Sequence, residues 1–68
     1  MKIKNGFRFR ITKNNYNGEV TAIDTSNKIA TIAFFDNNNH MYGMYSVYIS
    51  TIINNLETGA YEELKKGE

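Results

Sequence analysis

A mainly β fold is predicted: a small barrel or curved meander of four to five antiparallel strands, with one short C-terminal amphipathic helix. Three features predict it. Phe7, Phe9 and Ile11 alternate with Arg8, Arg10 and Thr12, the period of a strand with one face to the core. Clusters of turn-forming residues recur at regular spacing, as they do between short strands. Near the end, Ile49, Ile52, Ile53 and Leu56 recur at i, i+3, i+4 and i+7, the stripe of a helix with one apolar face.

The barrel strands are expected over about 6–45. The alternation predicts a first strand from Gly6 to Lys13. Asn14 to Gly18 is dense in residues that tolerate left-handed backbone angles and reads as a turn or loop. A second strand is expected from Glu19 to Asp24, its alternation slipping between Ala22 and Ile23 as at a bulge. After the turn Asp24 to Lys28, the run Ile29 to Phe35 is the most apolar of the chain. It is expected to be a central strand buried on much of both faces. Asp36 to Asn39 closes a hairpin into a fourth strand, His40 to Tyr45.

A helix is expected over about 47–58, capped at its start by Ser46 or Ser50 and ended by Gly59 in a left-handed conformation. The β-branched Val47, Ile49, Thr51, Ile52 and Ile53 oppose it. In the alternative, the fourth strand continues to Ile49 and only Thr51 to Glu57 is helical. Ala60 to Leu64 is expected to return as a short strand, and Lys65 to Glu68 to form a tail. The helix is expected to plug an open end of the rolled sheet.

Sixty-eight residues allow a single domain, 1–68. A chain this short buries only about 60% of the surface that its unfolded form exposes. There is no cysteine and one histidine, His40, so a disulfide is excluded and a structural zinc site lacks its ligands. No cofactor and no metal are expected. The apolar core must hold the fold, alone or with burial shared with a partner or a second copy. The start, MKIKNGFRFR, has no apolar signal segment, and no stretch approaches the roughly 18 apolar residues of a membrane span. A soluble, cytoplasmic protein is expected, with no membrane partner. Ten asparagines and no proline are ascribed to an AT-rich coding sequence.

"GFRFRI", "YNGEVTAID" and "KIATIAFFD" together resemble the opening of SH3-like barrels, including the KOW type of ribosomal and transcription proteins. Gly6 opens an alternating strand, Gly18 precedes the next, and Ile23-Asp24 ends it. The likeness covers residues 6 to 36. It implies an SH3-like barrel and, for the KOW type, nucleic-acid binding. The asparagines and Glu19 around Gly18 depart from the basic loop of that type. The second half resembles the ending of small proteins from bacteriophages and mobile elements: Ser46, a helix to Glu57, then Gly59, Ala60 and Tyr61. Some small phage proteins bind and block host enzymes, so this likeness implies a host protein as partner, one of a defence system included, and the host cytoplasm as location.

Catalysis is not expected. A nucleophile–base pair, paired carboxylates or a held metal is the usual requirement, and the acidic residues are scattered. His40 reads as an exposed turn residue. Asp24 and Asp36 end strands at turns, where local hydrogen bonding favours aspartate. Two signals remain. Arg8 and Arg10 share one strand face, with Lys2 and Lys4 before them, in an N-terminal part whose balance over residues 1–28 is +4 against −3 for the rest. Tyr42, Tyr45, Tyr48 and Tyr61 gather with Met41 and Met44 in the last part of the chain. Such rings form either the rim of a core or a patch for a partner. The preferred reading is a binding module whose partner surface is Arg8, Arg10, Tyr16, Tyr42, Tyr45 and Tyr48. A nucleic-acid surface of Arg8, Arg10, Lys13 and Tyr16 is the alternative. A homo-oligomer pairing the acidic half of one copy with the basic half of the next is the third.

Overall fold

The computed structural model describes residues 3–65. Five strands and one helix follow in the order β1 (Arg8–Ile11), β2 (Tyr16–Asp24), β3 (Ile29–Phe35), β4 (Met41–Tyr48), α1 (Ile49–Thr58) and β5 (Tyr61–Glu63). They form one antiparallel sheet in the order β4-β3-β2-β1-β5. The mainly β fold with one short helix is as expected. The sheet does not close: β4 and β5 are its two edges, and α1 packs against both. Lys2 and the tail beyond Lys65 lie outside the described residues.

β3 has the bounds its apolar run predicts. Ala30, Ile32 and Phe34 are buried on one face and Ala33 on the other. The core is built on the first of these faces by Phe7, Phe9, Val20, Ala30, Ile32, Phe34 and Ile52. Phe9 lies at its centre, stacked on Tyr61 at 4.3 Å and edge-on to Phe34 at 6.1 Å.

Other boundaries shift for identifiable reasons. β1 is shorter than Gly6 to Lys13. Gly6 lies in a turn at φ 89°, a backbone region open to glycine, and Lys13 falls in the next hairpin turn. β2 begins at Tyr16, not Glu19, because the turn needs only Thr12 to Asn15. Asn15 is left-handed and its N–H donates to the Ile11 carbonyl, while Tyr16 N–H donates to Asn14 Oδ1. Gly18 is therefore a strand residue facing Phe9, and its reason is space: a Cβ there would lie 2.3 Å from Phe9 Cζ. The bulge falls at Thr21, between Val20 and Ala22, slightly earlier than the pattern suggests.

The largest shift is where β4 meets α1. β4 runs to Tyr48 and the helix starts at Ile49, between the two alternatives offered by the sequence. Neither Ser46 nor Ser50 caps it. Tyr48 is the N-cap residue in an extended conformation, and no side chain bonds there. The ladder takes over that role, since Ile49 N–H donates to the Lys28 carbonyl at 2.9 Å. Gly59 ends the helix at φ 86°, as expected. Ile52 is fully buried, and Ile49 and Leu56 pack against the core beside it. Ile53, expected on the same stripe, instead lines a shallow surface groove with Tyr48, Ile49 and Lys28.

Candidate functional site

Among the described residues, the large apolar side chains left exposed all belong to β4: Met41 57%, Tyr42 49%, Met44 53%, Tyr45 54% and Tyr48 62%. Register decides which way they face. Side chains directly opposite in a ladder share a face. Gly43, Tyr45 and Val47 oppose Phe34, Ile32 and Ala30, so they lie on the core side. Met44, Ser46 and Tyr48 oppose Ala33, Thr31 and Ile29, so they lie on the outer side. Tyr42 is the extra residue of a bulge between the Phe34 and Phe35 pairings.

On the core side the rings form a continuous cluster. Tyr42 meets Tyr16 edge-on at 5.3 Å and tilts over Phe34 at 6.1 Å. Tyr45 lies 5.8 Å from Phe34 and crosses Gly43, where a Cβ would come within 2.8 Å of Tyr45 Cε2. Burial pushes the Tyr42 phenol above its ordinary value, and the phenols of Tyr16, Tyr45 and Tyr61 add to that. It is thus a neutral hydroxyl at neutral pH, able to donate and accept. Three of the six residues proposed from sequence, Tyr16, Tyr42 and Tyr45, form this patch.

The other three do not join it. Tyr48 lies on the outer side at the far end of β4. Arg8 and Arg10 alternate with the buried Phe9, which places them on the outer face as well. There each arginine faces a carboxylate: Arg8 is opposite Glu19, and Arg10 is opposite Asn17 and Glu62. The Arg10–Glu62 pair is a loose one, Nη1 to Oε1 at 4.0 Å, and exposed. Lys13 projects from the β1–β2 turn. Arg8, Arg10, Asn15, Asn17, Asn37 and Leu64 line a shallow polar groove of about 260 Å³.

The turn aspartates have the local role their positions suggest. Asp36 Oδ1 accepts from the backbone N–H groups of Asn38 and His40, both at 2.9 Å. Asp24 accepts from the Asn27 backbone at 3.1 Å and from its side-chain amide at 2.8 Å. Among the described residues, no three of His, Cys, Asp or Glu come together as a metal site. No described helix is long and apolar enough to cross a membrane.

One signal in the sequence passes unread by composition: no Asp, Glu, Lys or Arg occurs from 37 to 56. That interval holds all of β4, and β4 is an edge. No protein-family model, no curated protein and no solved structure matches the chain.

Proposed function

We propose that this protein is a non-enzymatic binding module of the phage or mobile-element type, which docks on a host protein and inhibits or modulates it, a defence protein included. The observation that carries the reading is the Tyr16–Tyr42–Tyr45 patch over the buried Phe34. Tyrosine brings large contact area with few torsions to freeze, and the rings here are already held by one another. Met41 and Met44 add adaptable apolar surface on the same strand. An exposed apolar group of this kind on a small domain marks an interaction site. The SH3-like form belongs to the same reading. It is supported by the return of the last strand to β1 and by the helix that spans the two sheet edges.

The test is a pull-down from nuclease-treated host lysate, comparing the wild type with a Tyr42→Ala, Tyr45→Ala variant whose fold is verified by circular dichroism. Loss of each ring from a binding hot spot costs about 2 kcal/mol or more, so specific capture should fall at least about tenfold. Equal capture by both proteins, or none by the wild type, would remove the reading.

Nucleic-acid binding is the second reading, favoured by the polar groove that contains Arg8 and Arg10. Glu19 and Glu62 opposite them reduce its net charge, and Tyr16 belongs to the other face. Retention on oligonucleotides at about 50 mM salt that is lost with Arg8→Ala plus Arg10→Ala would select it instead.

A further inference from the structure

Among the described residues β4 pairs with β3 only, so one side of it presents backbone groups outward. In an antiparallel ladder alternate residues turn N–H and C=O toward the neighbour. Ile49 N–H donates to Lys28 O, which sets the phase. Val47, Tyr45 and Gly43 are in phase with Ile49 and bond to β3. Met44 and Ser46 turn their N–H and C=O groups away from the sheet, and Tyr48 its N–H. Natural edges are commonly blunted by charge, proline or brevity. β4 has eight residues, none charged and none proline.

We infer that β4 is a dimerisation edge, on which a second copy of this chain adds its own β4 antiparallel about a two-fold axis at Ser46. About that axis Ser46 faces its own copy, and Met44 faces the partner's Tyr48 twice. Met44 and Ser46 direct N–H and C=O across the junction, and Tyr48 its N–H, since the Tyr48 carbonyl, as that of the N-cap residue, accepts the first bond of α1. On the outer face the Met44 thioether meets the Tyr48 ring, a favourable sulfur–aromatic contact. On the core side Tyr45 meets the partner's Val47, leaving the Tyr16–Tyr42 end of the patch uncovered.

Charge selects the second copy over other occupants. A charged peptide would find no counter-charge on an edge that has none from 37 to 56, whereas a two-fold copy brings no like charges together. Pairing β4 with the β5 edge of a neighbour would be heterologous and open-ended, and would bring Glu62 and Glu63 against an uncharged strand. Five paired residues per copy make an interface below the roughly 1,200 Å² of standard complexes, so a dissociation constant on the order of 10–100 μM is expected.

Sedimentation equilibrium of the whole chain from about 5 to 500 μM tests this, a range that brackets the expected constant. The mean mass should rise from 7.8 kDa toward twice that value. Ser46→Pro removes only an outward N–H, and Ser46→Lys sets two like charges on the axis. Both variants should keep the circular dichroism of the wild type and stay at the monomer mass. Tyr42→Ala should dimerise as the wild type does. A wild type that remains monomeric throughout overturns the inference, as does a Ser46→Lys protein that is folded and still dimeric. So does a dimer that dissociates as salt is raised from about 0.05 to 1 M, the response of paired charged halves.

Discussion

The two edges of the sheet answer the same problem in opposite ways. β5 is three residues long, two of them glutamates, and its tyrosine is stacked on the central Phe9. β4 is eight residues long and uncharged, and its tyrosines stand half out of the molecule. β5 is joined to the sheet by three residue pairs, β4 by seven. Brevity and charge keep β5 from recruiting another strand. Neither protects β4. The difference is the ground for both proposals made above: the unprotected edge is also the strand that carries the exposed aromatic surface. It also separates the sources of order, since β4 rests on its ladder and β5 on the helix and one ring.

The largest effect expected from breaking that contrast is at Ile52. It is the helix residue with no exposure, set in the core beside Phe9. Ile52→Ala should cost about 2–5 kcal/mol, against the ~5 kcal/mol or more of total stability expected for a domain. If the helix chiefly holds β5, hydrogen exchange should rise first at Thr12 and Leu64, whose N–H groups bond to Ala60 and Arg8 across the β1–β5 junction. Amides of Tyr45 and Val47, within the β3–β4 ladder, should stay protected longer. Ile52→Val, costing about 0.5–1.5 kcal/mol, should show the same order if the alanine variant unfolds outright. Simultaneous loss at both edges would erase the distinction.

A smaller effect compares like with like. Tyr61→Ala removes a ring stacked on Phe9 and should lower stability by about 2 kcal/mol. Tyr48→Ala removes a ring 62% exposed at the other edge, and should change it by no more than about 0.5 kcal/mol. Urea midpoints at constant m-value read both. Comparable losses would mean that the β4 tyrosines are part of the core rim and not an available surface.

Much of this architecture can be read locally. β3 is legible because its apolar run is unbroken, and Gly59 because a helix stripe stops there. Gly18 misleads because its neighbours Asn14, Asn15 and Asn17 look like a turn, whereas the reason for a glycine is the ring of Phe9, nine residues away. The β4–α1 boundary is ambiguous because Val47 and Ile49 fit either element. It is decided by Ile29 and Ala30, which need partners in the ladder. The site is half legible for the same reason. Composition marks the tyrosines and arginines, but which face each takes depends on register and on the bulge at Tyr42. Register pairs Arg8 and Arg10 with Glu19 and Glu62, and sends them to the side opposite Tyr16 and Tyr45. Asn15 and Asn39, both left-handed in turns, show that part of the asparagine excess is structural.

The smallest effect concerns the turn that leads into β4. The backbone N–H of His40, and then that of Asn38, stabilise the charged Asp36 carboxylate and hold its pKa below the ordinary value of 3.8. A carboxyl depressed in the folded state contributes stability that is present above its unfolded pKa and lost as pH falls through the folded one. Asp36→Asn keeps an oxygen that can accept the same bonds but cannot titrate. Wild type should therefore exceed the variant by a constant margin above about pH 5, and the margin should shrink in the more acidic range. Urea midpoints at neutral and acid pH give the margin, and amide shifts of His40 and Met41 locate it. Since Asp36 also bonds N–H to the His40 carbonyl, the hairpin end of β4 should loosen with the carboxylate while β5 does not respond. A margin that persists unchanged through acid would show that the turn is held by its backbone bonds alone, and that the length of the β4 edge owes nothing to Asp36.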